Sequence, residues 1–382
     1  MIADNRRTRA HTDWPLILLV AGLSLFGVIA VCVATYSIDS TAESLLAHIL
    51  ESDSARRQCF FLLLAPVIVT VLMNIPYHLF KRFTTLLYFV ATFLVAFTWI
   101  SNRAEGVKAW TDIIWGMTIQ PSEFIKLAMI LVLAQDLSKE ESPLSTGKDF
   151  AKLMGRVALP AAIILASGET GSLIVIVFFC AVMMFFSNVN MKLLLTLAAI
   201  VALALIALYA GMIALDIDDY RLRRILAFFN PSMSPQGDAY QMLQSQIAIG
   251  SGGLLGLGLG NSQQKFLYLP ETENDYVFPI VVEELGFVGG ALVLVLFAAL
   301  ILRGYWLALH ARDKFGSLLI VGIITLLATQ VFLNIGVVTN LIPNTGISLP
   351  FFSYGGTALW INLAEMGIVL AVSRQIPAPK KD

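Results

Sequence analysis

The sequence predicts an all-α integral membrane protein with about ten transmembrane helices and one large extracytoplasmic loop. Three observations predict it. Of 382 residues, 58% are hydrophobic and 13% charged, and the mean hydropathy is +0.80, well outside the range of soluble domains. The apolar runs reach the roughly 20 residues that a helix needs to cross a hydrocarbon core. They also lack the period-two alternation of a membrane-barrel strand.

The elements follow in chain order. Residues 1–13 form a tail carrying Arg6, Arg7 and Arg9 ahead of an apolar run from Trp14 to about Tyr36. That run is too long for a signal-peptide core and has no small-residue cleavage site, so it reads as a retained first span. Further spans are expected near 58–76, 83–101, 121–137, 156–167, 171–188, 192–214, 277–302, 316–341 and 351–373. Residues 14–382 then make a single polytopic domain, with a C-terminal tail from about 374. The two spans around Gly168 to Gly171 are joined by SGETG and also read as one interrupted hairpin whose polar link sits at membrane depth. Ten crossings put both termini on one side. Basic residues favour that side by two to one, which makes both termini cytoplasmic.

The long loop, about 215–276, combines an acidic patch (LDIDD), a basic cluster (YRLRR), a proline-rich turn (NPSMSPQGD), the stretch AYQMLQSQIAIG and the glycine run GSGGLLGLGLGN. A loop of this length and mixed composition reads as functional rather than disordered. Its glycines are no P-loop, since GKS or GKT is absent; close helix approach or a turn explains them.

Net charge is −1, so no field argues for nucleic acid. Cys32, Cys59 and Cys180 lie in or beside apolar runs and read as structural thiols rather than a disulfide framework. The four histidines show no i, i+3 or i, i+4 pairing, so no histidine metal site is expected.

Ionisable residues inside apolar runs are the candidate chemistry. YLPETENDYVFPIVVEELG, residues 268–286, holds Glu271, Glu273, Asp275, Glu283 and Glu284. Glu283 and Glu284 fall about two turns into a span, where a carboxylate must be paired, protonated or facing a wet cavity. Asp275 sits at the membrane boundary. It can act there as an ionised base on a lipid-anchored substrate, or simply as a helix N-cap or first-turn anion, and the residues alone leave both readings standing. Arg221, Arg223 and Arg224 suit phosphate oxygens or headgroup anchoring equally. Glu123 and Lys126, three apart in TIQPSEFIKLAMI, share one helix face and can pair. In NIGVVTNLIPNTGISLPFFSYGGTALW, Pro343 and Pro350 forbid a continuous helix, and such broken segments line cavities.

Taken together, QPSEFIK (120–126), RLRRILAFFNP (221–231), YQMLQSQIAIGSGG (240–253), GLGLGNSQQKFLYLPE (256–271) and PNTGISLPFFSYGG (343–356) resemble the shape, elongation, division and sporulation family, FtsW/RodA/SpoVE, over nearly the whole chain. The GLGLGNSQQK and YLPE forms look like its division and sporulation branch. The resemblance implies a peptidoglycan glycosyltransferase that polymerises lipid II at the outer face of the bacterial cytoplasmic membrane, working with a class B penicillin-binding protein. It implies Asp275 as the catalytic residue and Arg221, Arg224, Lys265, Glu123, Lys126 and Ser353 as substrate-binding residues. Two departures stand out: Asn274-Asp275-Tyr276 replaces a common Thr-Asp-Phe, and SGETG offers Glu169 where the family has a Gln-Pro-Asp motif.

The chemistry agrees with that assignment. The acceptor sugar's 4-hydroxyl must lose a proton as it attacks the donor's anomeric carbon, which needs one base. The polyprenyl pyrophosphate leaving group needs cations: arginines, a lysine or a divalent ion, Mg or Mn. Two other readings are a lipid II flippase, with Glu123, Lys126, Glu283 and Glu284 lining a headgroup path, and a non-catalytic membrane scaffold for a penicillin-binding protein. The chain has no SxxK followed by KTG, so it carries no acylation motif set of its own.

Overall fold

Within a bilayer the backbone must satisfy its own hydrogen bonds, and a chain with these apolar runs does so as helices. The computed structural model describes residues 12–35, 51–101, 111–112, 118–139, 147–215, 220–230, 239–265, 269 and 272–376. Among the described residues there are twelve helices: α1 (Trp14–Ala34), α2 (Asp53–Asn74), α3 (Tyr77–Ser101), α4 (Pro121–Leu137), α5 (Gly147–Ser167), α6 (Thr170–Phe186), α7 (Met191–Ala214), α8 (Tyr220–Phe229), α9 (Tyr240–Ser251), α10 (Val277–Leu309), α11 (Lys314–Val338) and α12 (Gly356–Ser373). A short antiparallel ladder pairs Thr111–Asp112 with Thr118–Ile119. Arg6, Arg7, Arg9, Glu271, residues 231–238 of the proline-rich turn and the side chain of Arg221 lie outside the described residues.

Seven of the described helices, α1, α2, α3, α5, α10, α11 and α12, are long and apolar enough to cross a membrane. α4 and α6 have 17 residues each, about 26 Å at 1.5 Å per residue. The boundaries differ from expectation where polar sequence is still helical. α5 starts at Gly147 because GKDFAK adds polar turns before its apolar run, and α12 starts only at Gly356 because Pro350 and the glycines of SYGG keep the preceding stretch out of the helix.

α11 forms the centre, its side chains buried almost throughout, and packs on α4, α6, α10 and α12. α2 lies along α12, α3 along α4, and α1 along α10 and α2. Leu63, Phe89 and Phe93 of α2 and α3 are exposed, as lipid-facing side chains are. Cys32, Cys59 and Cys180 are free thiols.

Ion pairs fasten one end of the bundle. Asp13 caps α1 by accepting from Leu16 N at 3.0 Å and takes two bonds from Arg303 of α10, Nη2 to Oδ2 at 2.6 Å and Nε to Oδ1 at 3.2 Å. Asp313, the cap of α11, accepts from Tyr77 Oη at 2.7 Å and Gly316 N at 3.0 Å, with His78 Nε2 at 3.1 Å.

At the other end α10 is not the continuous helix its apolar run suggests. Gly286 has φ +69° and ψ −169°, which breaks the helix about 14 Å from its start at 1.5 Å per residue. The glycine run repairs the break. Leu257 N and Gly258 N donate to the carbonyls of Glu283 and Glu284, both at 3.0 Å, while Phe287 N and Val288 N donate to Gly253 O at 2.9 Å and Leu254 O at 3.2 Å. Four backbone groups stranded by the break are thereby paired with loop backbone. The approach is so close that a Cβ on Gly256 (φ +81°) would lie 2.1 Å from Glu284 O, and one on Gly286 2.4 Å from Leu254 O.

The adjacent carboxylates complete this clamp. Glu283 accepts from the Ser262 hydroxyl, from Gln263 N at 3.0 Å and from Gln264 N at 3.4 Å. Glu284 accepts from Lys265 Nζ at 3.0 Å and Ser262 N at 3.3 Å, and the same ammonium reaches Val33 O of α1 at 3.3 Å. Both carboxylates therefore serve as packing residues that hold loop to helix.

Candidate active site

Asp275 lies on the turn over residues 272–276, directly ahead of α10, and is half-buried. Its neighbours are fixed from several helices. Glu273 O accepts from Tyr354 N at 2.6 Å, and its carboxylate accepts from Ser54 Oγ of α2 at 3.1 Å. The carbonyl of Asp275 accepts from Asn334 Nδ2 of α11 at 2.8 Å.

Facing this turn is the segment 343–355, which prolines and glycines keep non-helical between α11 and α12. Asn344 Nδ2 donates to Tyr276 Oη at 3.1 Å, and Asn344 Oδ1 accepts from Gly346 N at 3.0 Å. That turn places Gly346 at φ +65°, a backbone state that favours glycine. A Cβ there would lie 3.6 Å from Arg224 Nη1 and 3.8 Å from Asp275 Oδ2. The arginine of α8 and the carboxylate of Asp275 thus border one small space whose floor is a residue without a side chain.

Below this floor is a second polar layer. A Cβ on Gly171 of α6 would meet Thr345 O at 2.5 Å, so the start of α6 packs directly under the 343–350 segment. Beside it, Glu169 Oε2 accepts from Ser122 Oγ at 2.6 Å, Ser172 Oγ at 2.9 Å and Gln120 Nε2 at 3.1 Å. Glu169 therefore takes a built position where the sequence left its role open. One turn further along α4, Lys126 Nζ pairs with Glu123 Oε1 at 2.6 Å, both side chains buried.

The expected site residues thus fall into two groups. Asp275 and Arg224 come together. Lys265, expected at the substrate, instead has its ammonium buried on Glu284, and Glu123 and Lys126 close on each other. Ser353 Oγ accepts from Leu349 N at 2.7 Å and so closes the LPFFS turn, while its carbonyl accepts from Gln58 Nε2 at 3.3 Å. Gly346 was expected to permit a sharp turn, but Asn334 and Asn344 were not singled out from sequence. Their signal was the density of polar residues in NIGVVTNLIPNTG.

Among the described residues, no three of His, Cys, Asp and Glu gather in a group able to hold a metal ion. Asp275 has Arg224 beside it across Gly346, so the described side chains offer a guanidinium rather than a carboxylate cluster to a leaving pyrophosphate.

The profile of the FtsW/RodA/SpoVE cell cycle protein family matches residues 14–377. The chain is 42% identical over 325 residues to the stage V sporulation protein E of Bacillus subtilis strain 168, covering 84% of this chain and 87% of that protein. It is 35% identical over 373 residues to the Geobacter metallireducens protein named "Probable peptidoglycan glycosyltransferase FtsW", covering 95% of each. Its fold is similar to a chain from a peptidoglycan synthase complex, solved in work on the coordination of polymerization and crosslinking, with a TM-score of 0.77, 26% identity, and coverage of 97% of this chain and 99% of that one.

Proposed function

The chain belongs to the FtsW/RodA/SpoVE family and is a peptidoglycan glycosyltransferase, and we propose that Asp275 is the general base with which it polymerises lipid II. The observation that carries this reading is the juxtaposition over Gly346: Asp275 Oδ2 and Arg224 Nη1 lie within 3.8 Å and 3.6 Å of one point.

In this reading Asp275 takes the proton from the acceptor sugar's 4-hydroxyl as that oxygen attacks the donor's anomeric carbon. The bond from that carbon to the polyprenyl pyrophosphate breaks, and the departing charge is met by Arg224, whose guanidinium fork suits phosphate oxygens. No step is routed through a divalent ion. The buried Lys126–Glu123 and Lys265–Glu284 pairs are closed on themselves at 2.6 Å and 3.0 Å, which favours packing over the headgroup path a flippase needs.

The ten expected crossings place this site at the outer face of the cytoplasmic membrane with both termini in the cytoplasm. The polyprenyl tails of lipid II then lie in the surrounding lipid. Crosslinking falls to a class B penicillin-binding protein, an assignment supported by the likeness to a chain of a synthase complex.

The test is polymerisation of purified lipid II by the protein together with its penicillin-binding partner, comparing parent and Asp275→Asn at matched folded amounts. Loss of glycan-chain synthesis is expected, by at least about 100-fold for a positioned general base. Retained synthesis removes Asp275 from that role.

A further inference from the structure

The carbonyl of Asp275 lies just outside α10, whose cap is Tyr276, so the helix itself offers it no amide. The carbonyl of Ile347 cannot take a turn bond from the amide three residues on, because that residue is Pro350. Two carbonyls beside the space bordered by Asp275 and Arg224 thus need partners from elsewhere.

A single side chain serves both. Asn334 Nδ2 donates to Asp275 O and to Ile347 O, each at 2.8 Å. Asn334 lies on α11, the most enclosed helix of the bundle, and is 1% exposed. A primary amide is suited to this task because its NH2 carries two N–H donors on one planar, uncharged nitrogen. A serine has one donor, and a lysine would add a buried charge with no carboxylate recorded as its partner.

We propose that Asn334 is the positioning residue of the reaction: it latches the Asp275 turn to the Gly346–Ile347 backbone and so sets the distance between the base and the wall opposite it. The proposal rests on the reading of Asp275 as base. Asn334 touches no reacting atom; it acts through Asp275, whose Cα lies one bond from the latched carbonyl carbon, and through Gly346, which is next to the latched Ile347.

The experiment uses the full chain in lipid nanodiscs with its partner, in three forms: parent, Asn334→Ala and Asn334→Asp. Lipid II polymerisation is measured as turnover and KM. Hydrogen exchange is followed in peptides spanning 272–280 and 344–352, with 356–373 of α12 as the reference. For Asn334→Ala, turnover is expected to fall about 100-fold, the cost of a misplacement near 1 Å, with KM changed less than about threefold, and exchange is expected to accelerate in both site peptides but not in α12. Asn334→Asp keeps the shape but donates only when protonated, and then to one carbonyl. Its activity relative to the parent should therefore recover as pH is lowered, while the Asn334→Ala ratio stays flat.

Unchanged turnover in Asn334→Ala, or faster exchange in only one of the two site peptides, overturns the latch. Acceleration across α12 as well reports general loosening and also overturns it. If Asp275→Asn stays active, the base reading fails by itself, and the paired exchange response still decides whether Asn334 joins the two walls.

Discussion

Replacing Lys265 by methionine tests whether the clamp on α10 is held by charge pairing. Its ammonium is 3.0 Å from Glu284 Oε1, with side-chain exposures of 0% and 1%, so solvent screens neither partner. Removing one member of such a pair leaves an unpaired buried charge, at a cost of about 3–5 kcal/mol. In Lys265→Met the Glu284 carboxylate keeps only Ser262 N among the partners described above, at 3.3 Å. Adding Glu284→Gln should undo most of the loss. The amide still accepts from Ser262 N and no charge remains, so the double variant is expected within about 1 kcal/mol of the parent. Thermal unfolding of the purified protein reads the stability and lipid II polymerisation reads the function. A single variant as stable as the parent, or a double variant as unstable as the single, refutes the reasoning. A double variant that is stable but inactive would assign Lys265 a direct substrate role beyond the clamp.

Three further outcomes follow from the geometry. Gly256→Ala drives a methyl to 2.1 Å from Glu284 O and should abolish the monodisperse folded peak on size exclusion, whereas Gly253→Ala, also at positive φ but with nothing within 4 Å of its Cβ, should cost only about 1–2 kcal/mol of backbone strain. Gly346→Ala puts a methyl in van der Waals contact with Arg224 Nη1 and Asp275 Oδ2 at a φ of +65°; the protein should still fold, but polymerise at least about tenfold more slowly, since relieving about 1–2 kcal/mol of backbone strain there shifts the segment that borders the aligned pair. At the opposite end of the bundle, burial works against the Asp313 carboxylate, but hydrogen bonds from Tyr77 and Gly316 and the proximity of His78 outweigh it and hold its pKa below the usual aspartate range. A lowered folded-state value stabilises above the ordinary aspartate pKa and is lost as pH falls through the folded one. Asp313→Asn should therefore be less stable than the parent at neutral pH and show a smaller loss of stability on acidification, read by unfolding across an acid series.

Composition and run length were enough to anticipate the long helices among the described residues, though not where α5 and α12 begin, because the bilayer leaves apolar segments few other ways to satisfy their backbone. For Asp275 the residues alone left a base and a helix-start anion equally open, and only the family resemblance favoured the base. The break in α10 was not legible. GFVGG looks like an ordinary stretch of apolar helix, and only the backbone bonds from residues 253–258 show why Gly286 can leave the helical region. The pairings of Lys265 with Glu284 and of Asn334 with Asp275 and Ile347 were hidden in the same way, since they span 19, 59 and 13 residues of chain and hydropathy carries no information about pairing. Glu123 and Lys126 could be paired from spacing alone because i, i+3 residues meet on any helix.

The mended break in α10 has a consequence for how the protein is made. If α10 kept its break outside the finished bundle, the carbonyls of Glu283 and Glu284 and the amides of Phe287 and Val288 would face lipid with no partners, each at a cost of several kcal/mol. The segment that satisfies them, residues 253–258, leaves the ribosome before them. The broken form of α10 therefore cannot stand in the bilayer as an autonomous span; until the loop folds, its helix has to run on unbroken. Formation of the break is tied to the folding of the loop just ahead of it, so the first part of α10 and the glycine run reach their final form as one unit, and the turn bearing Asp275, which lies between them, is put in place by that same event.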